Sequence, residues 1–199
     1  KYDQQEEQND YNDSIALAYA RLSAAVQFWG DTTVNHLVRE AIVQAHSGEA
    51  IDSNNHKLNL LDVGSGMSGT LFSLCTPEFP FQDWSYHGIA ISQPEVRRAN
   101  QLVDTVVRPI ISSASETAYN KNPIVDSQDG DTSDSIRFPL SNITIQRASF
   151  DDPLPPKEYT TMVAIESLAF SHNVTHTLMN LARSLKPKGT LIVVEDVVA

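Results

Sequence analysis

An acidic residue and three closely spaced glycines form the pattern in this sequence with the clearest chemical meaning. Asp62 lies near the end of an apolar run, and Gly64, Gly66 and Gly69 follow it. Glycine accepts a positive φ and leaves room for a ligand where a Cβ would collide with it. The apolar run, residues 58–63, is typical of a buried strand that a tight turn joins to a helix. The pattern therefore predicts a loop that holds a nucleotide-like cofactor.

Two classes of cofactor fit such a loop. The glycines satisfy the spacing G-x-G-x-x-G of dinucleotide-binding loops, but this spacing alone has low specificity. Dinucleotide binding also requires an acidic residue about 20 positions later, which would bind the ribose hydroxyls. Residues 86–92 occupy that position and contain no carboxylate. The sequence therefore favours a cofactor other than NAD.

The loop resembles the first motif of the class I S-adenosylmethionine-dependent methyltransferases, in particular those of the tocopherol and sterol C-methyltransferase branch. Further segments of the chain are similar to later motifs of that family, in the same order. The similar segments are residues 61–70, 88–100, 148–155, 162–168 and 185–196. The resemblance implies S-adenosyl-L-methionine as the cofactor and a small-molecule acceptor that is methylated by direct displacement.

Two helices can be placed from local signals. Ser92 and Glu95 form a capping box, so a helix is expected to begin at Gln93. Apolar residues at helical spacing predict a second helix near the end of the chain, and Pro and Gly in residues 186–189 are expected to end it. The leucines that show this spacing are Leu178, Leu181 and Leu185.

Further apolar runs predict strands at residues 143–145, 162–165 and 190–194. The last run has no polar alternation, which predicts a strand buried on both faces. Strands that alternate with helices favour a parallel sheet. The expected fold is α/β, a Rossmann-like three-layer α/β/α sandwich with a mainly parallel sheet, truncated after the fifth strand.

The chain is expected to contain an N-terminal helical cap, residues 1–50, and a cofactor-binding domain, residues 51–199. Within the cap, helical spacing appears in residues 15–29 and again in residues 34–45, and residues 1–13 are polar. Residues 112–137 are polar without periodicity, which predicts a flexible loop insertion.

The resemblance also implies the residues of the site. Asp62 would accept a hydrogen bond from the amino group of the cofactor, and it could also cap the following helix. The cofactor-binding residues implied are Asp62, Gly64, Ser65, Gly66, Ile91, Ser92, Gln93, Ser149, Phe150 and Glu166. Two positions depart from the family pattern, because Ala90 replaces the usual ribose-binding carboxylate and Ser149 replaces the usual Asp. Phe150 or Asp151 would then contact the adenine.

Two residues are candidates for catalysis. Glu166 follows the predicted fourth strand, where a carboxylate could stabilise the sulfonium, hold the acceptor or act as a general base. His172 follows six residues later, whereas the related branch has its histidine at the position of Phe170 here. A surface histidine is an equal alternative for His172, and a strand-end acid in water is the alternative for Glu166.

Composition narrows the remaining function classes. The net charge of −11 disfavours a nucleic-acid-binding surface, which needs clustered cations. No apolar run reaches the ~20 residues of a membrane span. The single cysteine, Cys75, forms no internal disulfide and suggests a reducing compartment, the cytoplasm or an organelle interior. No metal site is expected, since the histidines lack ligand spacing.

Two other functions stay open at this point, a catalytically inactive methyltransferase-like partner subunit and an NAD-dependent oxidoreductase. Because the family sheet continues past its fifth strand and this sequence ends at Ala199, we expect an exposed apolar edge at strand five. Self-association or a completing chain is expected there. The sequence begins at Lys1 rather than Met, which is consistent with a removed leader or a chosen boundary.

Overall fold

The computed structural model describes residues 32–47, 57–75, 79–81, 83–109 and 140–195. Within these ranges, helices and strands alternate along the chain except between the third and fourth strands. The helices are α1 (Thr32–His46), α2 (Gly69–Leu74), α3 (Gln93–Leu102) and α4 (Val174–Ser184), and a π-helical turn, Val103–Val107, extends α3. The strands are β1 (Lys57–Val63), β2 (Asp83–Ala90), β3 (Leu140–Arg147), β4 (Tyr159–Ile165) and β5 (Leu185–Val194). A short 3-10 helix, Leu168–Phe170, follows β4.

The five strands form one sheet in the order β3-β2-β1-β4-β5. All four strand pairs are parallel, so the carboxyl ends of all five strands lie at the same edge. The chain proceeds outward from β1 in one direction and then in the other, which places a crevice at the carboxyl ends where the order reverses. The predicted Rossmann-like α/β fold with a parallel sheet is confirmed.

Helices cover both faces of the sheet. On one face, Val38 and Ile42 of α1, Leu71 of α2 and Val96 of α3 join a buried apolar cluster with side chains from the strands. On the other face, Leu181 of α4 packs in a second cluster. The connection between β3 and β4, residues 148–158, contains no helix. The second helical layer is therefore thinner than the first in the described part of the chain.

The local predictions around α3 and α4 differ in outcome. Ser92 caps α3, and its side chain accepts a hydrogen bond from the backbone N–H of Glu95 at 3.5 Å, so the predicted start at Gln93 is confirmed. The prediction that Leu185 belongs to α4 is wrong. Leu185 begins β5 and pairs with Tyr159, because strand pairing begins directly after the last helical turn.

Strand β5 is less buried than the sequence predicted. Its register jumps between Leu185 and Thr190, so residues 186–189 bulge away from β4. Most of its side chains are only partly buried, and Val193 is 44% exposed. The prediction of burial on both faces is therefore wrong for the described residues, where β5 pairs with β4 on one side only.

Only part of the predicted N-terminal cap lies among the described residues. The second predicted helix of the cap corresponds to α1, although Leu37 in its apolar stripe is 56% exposed. The first predicted helix, the polar start of the chain and the loop insertion at residues 112–137 lie outside the described residues, and the domain division at residue 50 stays a prediction. None of the described helices is long and apolar enough to cross a membrane.

Candidate functional site

The glycine loop connects β1 to α2 through three left-handed residues. Gly64 and Gly66 have φ values of 72° and 50°, and Ser68, which precedes α2, has a φ of 63°. The backbone N–H of Ser65 donates to the carbonyl of Ile89 at 2.9 Å, which ties the loop to the end of β2. Both glycines therefore have the positive φ that the sequence predicted for positions 64 and 66.

Two glycines around this loop allow close packing. A Cβ at Gly64 would overlap the Cβ of Ser167, which follows β4, so only glycine lets the loop approach that segment. A Cβ at Gly88 in β2 would lie 2.9 Å from the Oγ of Ser65. The loop is therefore held between the ends of β2 and β4.

Gly66 faces open space. Nothing in the described part of the chain lies within 4 Å of the position that its Cβ would take. Near the same loop, the buried hydroxyls of Ser65 and Ser167 have no hydrogen-bond partner among the described residues. Buried polar groups are normally paired, so these two oxygens indicate a place where a polar ligand or water completes the site.

Asp62 contributes a buried carboxyl group to this crevice. It is 3% exposed, and its Oδ2 accepts a hydrogen bond from the hydroxyl of Tyr86 at 2.5 Å. Burial raises the pKa of Asp62 to about 6, although hydrogen bonds from Tyr86 and Thr70 oppose the rise. Burial and the nearby charge of Asp62 also raise the pKa of Tyr86. A cation that entered the crevice would therefore meet a carboxylate with little solvent to screen it.

The residues after β2 lie beside the loop. The side chain of Ser92 caps α3 by accepting the backbone N–H of Glu95, and Gln93 begins the helix. The carbonyl of Ile91 accepts a hydrogen bond from Nε of Arg147 at 3.0 Å. Arg147 ends β3, where it pairs with Ala90. No pattern in the sequence indicates Arg147, because its contact depends on the register of two parallel strands.

The residues after β3 are divided between the core and a polar network. Phe150 is buried in the apolar cluster beneath α4, and the Oγ of Ser149 accepts the backbone N–H of Asp151 at 3.2 Å. Asp151 itself accepts hydrogen bonds from the hydroxyls of Ser171 and Thr177. Its carboxylate thus joins this segment to the start of α4, and the adenine contact of Phe150 or Asp151 stays a prediction.

Glu166 follows β4 at the carboxyl edge with a left-handed φ of 48°. Its backbone N–H donates to the carbonyl of Val194 at 2.7 Å, and its side chain is exposed. Glu195, which no sequence pattern indicates as a site residue, accepts hydrogen bonds from the backbone N–H groups of Ser167 and Leu168 at 3.1 and 2.7 Å. The segment after β4 is therefore held in place while the carboxylate of Glu166 stays accessible.

His172 lies on the surface between the 3-10 helix and α4. Its backbone N–H donates to Oδ2 of Asp151 at 3.3 Å. This contact places the residue close to the segment after β3. The structure therefore brings together Asp62, the glycine loop, residues 91–93 and Glu166 at one edge, and it attaches His172 at the margin of that edge.

Two other features lie apart from this edge. Cys75 directly follows α2 and is partly buried, and burial raises its pKa to about 12, which is typical of an unreactive thiol. No group of three potential metal ligands occurs among the described residues. A cavity of about 190 Å³ lies at the amino ends of the strands, opposite the crevice, and is lined by Lys57, Thr160 and residues 186–189 among others.

No protein-family model matches the chain, and no curated protein matches it in sequence. Solved structures do match it. The CurJ carbon methyltransferase aligns with a TM-score of 0.61 and 16% identity, over 96% of this chain and 43% of that one. A protein of Methanococcus maripaludis, described as an S-adenosyl-L-methionine-dependent methyltransferase, aligns with a TM-score of 0.56 and 14% identity, over 92% and 63%.

A third neighbour carries a different activity in its name. The [4+2]-cyclase SpnF aligns with a TM-score of 0.51 and 18% identity, over 81% of this chain and 44% of that one. The chain thus spans between 43% and 63% of the length of these three structures. At such low identity, the similarity establishes the fold and leaves the activity open. The chain has the Rossmann-like α/β fold of the class I S-adenosylmethionine-dependent methyltransferases.

Proposed function

We propose that this chain binds S-adenosyl-L-methionine at the carboxyl edge of the sheet and methylates a small-molecule acceptor. The observation that carries the proposal is the buried carboxylate of Asp62 next to a glycine loop with open space at Gly66. When bound, this cofactor supplies an activated methyl group and an α-ammonium group. Asp62 would pair with the ammonium, because an anion and a cation stabilise each other strongly where solvent is excluded.

The other polar groups of the crevice fit the same ligand. The free hydroxyls of Ser65 and Ser167 offer donors and acceptors beside the loop. Residues 91–93 lie on the side of β2, where the ribose and adenine would bind. Ala90 brings no carboxylate to that side, so we expect the ribose to depend on backbone groups and on Gln93. The tocopherol and sterol branch stays a prediction.

We assign to Glu166 a role in binding or deprotonating the methyl acceptor. Its exposed carboxylate lies directly after β4 at the crevice, within reach of solvent and of an entering acceptor. In this position it would hold the acceptor or take its proton. Displacement reactions of this type are accelerated chiefly by alignment, so the rigid backbone around Glu166, fixed by Val194 and Glu195, would contribute as well. His172 stays a second candidate at the margin.

Calorimetric titration with S-adenosylhomocysteine and with NAD tests the cofactor assignment. We expect S-adenosylhomocysteine to bind and NAD not to bind. Gly66→Ala should weaken binding at least tenfold, because its methyl group would enter the crevice. Lys157→Ala is the control, since Lys157 has a φ of 53° near the opposite edge and should tolerate alanine. Binding of NAD in place of S-adenosylhomocysteine would instead support an oxidoreductase.

A non-catalytic or differently reactive relative is the second candidate, because SpnF has this fold and is named a cyclase. Methyl-labelled cofactor, incubated with the protein and the small-molecule fraction of a cell extract, separates the two. Labelled product that decreases in Glu166→Gln supports methyl transfer. Cofactor binding without labelled product supports a partner subunit.

A further inference from the structure

The side chains of Asp62 and Tyr86 form a buried pair across β1 and β2. Asp62 pairs in register with Gly88, so Tyr86 lies two residues away on the same face of the neighbouring strand. Its hydroxyl donates to one carboxylate oxygen, Oδ2, at 2.5 Å. A carboxylate offers about four acceptor positions on its two oxygens, so Asp62 can accept a further hydrogen bond besides those from Tyr86 and Thr70.

The groups that face this pair carry no positive charge in the described part of the chain. The hydroxyl of Thr70, from α2, also donates a hydrogen bond to the carboxyl of Asp62. The thiol of Cys75, which follows α2, interacts electrostatically with Tyr86. Burial raises the pKa of Asp62 to about 6, so its ionised form has no cation to compensate the lost solvation. A ligand with an ammonium group would supply that cation.

We propose that Tyr86 is a positioning residue for the cofactor, whose hydroxyl holds the carboxylate of Asp62 toward the ammonium group, and that binding releases a proton from this pair. The proposal rests on the proposed function, because it needs a cationic ligand at Asp62. The released proton comes from Asp62 alone. Asp62 loses its carboxyl proton to solvent, the hydroxyl of Tyr86 keeps its own proton, and no bond to the ligand is made or broken.

The consequence is a binding affinity that depends on pH. Below about pH 6 the carboxyl of Asp62 is largely protonated, and binding must first remove that proton. The affinity for S-adenosylhomocysteine should then rise by roughly tenfold per pH unit until the pH reaches the pKa of Asp62, and it should be constant above that pH. A structural role of Tyr86 alone would lower stability without changing this profile.

The experiment is a calorimetric titration with S-adenosylhomocysteine between pH 5 and pH 7, in buffers with different ionisation enthalpies. For the wild-type protein we expect proton release near pH 5.5 and a rising affinity. In Tyr86→Phe the hydrogen bond that stabilises the carboxylate is lost, so the pKa of Asp62 rises. The affinity should fall by roughly tenfold at pH 6, and its plateau should shift to higher pH.

Tyr159→Phe is the matched control. The hydroxyl of Tyr159 lies 2.5 Å from Nδ1 of His87, so this variant also loses a short hydrogen bond within the sheet, but on the face opposite Asp62. Its pH profile should equal that of the wild-type protein. Carbon-13 NMR of the Asp62 carboxyl in the ligand-free protein follows the same titration directly and should show the upward shift in Tyr86→Phe.

The outcomes distinguish the two proposals. Affinity that is independent of pH, or Tyr86→Phe with the profile of the wild-type protein, overturns the role of Tyr86 and leaves cofactor binding intact. Failure of the wild-type protein to bind S-adenosylhomocysteine at any pH overturns the proposed function, and the role of Tyr86 is then excluded as well. A shift of equal size in Tyr159→Phe would also overturn the role of Tyr86.

Discussion

Gly64 lies at the point where the glycine loop comes closest to the segment after β4. Alanine there combines a strained backbone, with a φ of 72°, and overlap with the Cβ of Ser167. Left-handed strain costs about 1–2 kcal/mol and overpacking about 1–3 kcal/mol, so Gly64→Ala should lower the free energy of unfolding by roughly 3 kcal/mol. Urea denaturation measures this loss.

The double variant Gly64→Ala/Ser167→Gly separates the two causes. Removing the Cβ of Ser167 relieves the overlap and leaves only the strain, so the double variant should be more stable than the sum of the single changes predicts. Gly66→Ala is the control for strain alone, because its Cβ meets nothing in the described part of the chain. Strict additivity of the two changes would contradict the close packing.

The buried carboxyl of Asp62 makes the ligand-free protein sensitive to pH. Since the pKa of Asp62 is raised to about 6, the folded state binds more protons than the unfolded state between about pH 4 and pH 6. The stability that this group contributes is present at low pH and is lost as the pH rises through about 6. Asp62→Asn should therefore stabilise the ligand-free protein at pH 7.5, by up to roughly 3 kcal/mol.

Denaturation of wild type and Asp62→Asn at pH 4.5 and pH 7.5 provides the measurement. The stabilisation should be largest at pH 7.5 and about one third as large at pH 4.5, where Asp62 is protonated in the folded state but already largely ionised in the unfolded state. The same variant should bind S-adenosylhomocysteine more weakly. A stabilisation that is equal at both pH values would mean that the carboxyl titrates alike in the folded and unfolded states.

Residues of the site differ in how far the sequence could identify them. Asp62 and Gly66 belong to a local pattern, in which neighbouring residues determine the loop. The contacts of Tyr86, Ser167 and Arg147 depend on which residues of separate strands and loops lie side by side. Such pairs arise from strand order and register, and no spacing along the chain encodes them directly.

At the scale of elements, Asp151 connects the segment after β3 with the start of α4. Its carboxylate accepts hydrogen bonds from the hydroxyl of Thr177 and the backbone N–H of His172. Asp151→Ala leaves these donors without that partner, which costs about 1–3 kcal/mol for a buried group. We expect a loss of about 2 kcal/mol in unfolding free energy, and faster amide hydrogen exchange in the first turn of α4.

Asp152→Ala is the matched control for this network. Asp152 is the neighbouring acid and is exposed, so its replacement should change stability and exchange by little. Asp151→Asn should lie between the two, since its amide oxygen keeps one acceptor. Equal effects of Asp151→Ala and Asp152→Ala on α4 would show that the network does not hold the helix.

The ends of helices could be predicted where a local signal, such as a capping box, marks them. The start of α3 follows from Ser92 and Glu95, because the capping hydrogen bond joins residues three positions apart. The end of α4 could not be found in the same way. Leu185 continues the helical spacing of its neighbours, and only the competing pairing with Tyr159 places it in β5.

For the whole molecule, the alternation of helices and strands was sufficient to predict a parallel sheet, but it was not sufficient to predict how deeply each strand is buried. The apolar run 190–194 resembles a central strand in composition. In the sheet it is the last strand in order, and its outer side has no strand partner among the described residues. Composition reports the apolar character of a strand, whereas its position in the sheet determines its exposure.

Strand β5 is therefore an edge of the described sheet where we expect self-association. An unpaired edge presents backbone N–H and carbonyl groups that can pair with another chain, and Val193, 44% exposed, adds apolar surface there. Val193→Lys should reduce association, because a charged side chain opposes edge pairing. Val106→Lys is the control, since Val106 is 37% exposed in the π-helical turn after α3, away from this edge. Sedimentation over a range of concentrations measures the effect. A wild-type protein that is monomeric at every concentration, or equal effects of the two variants, would contradict pairing at β5.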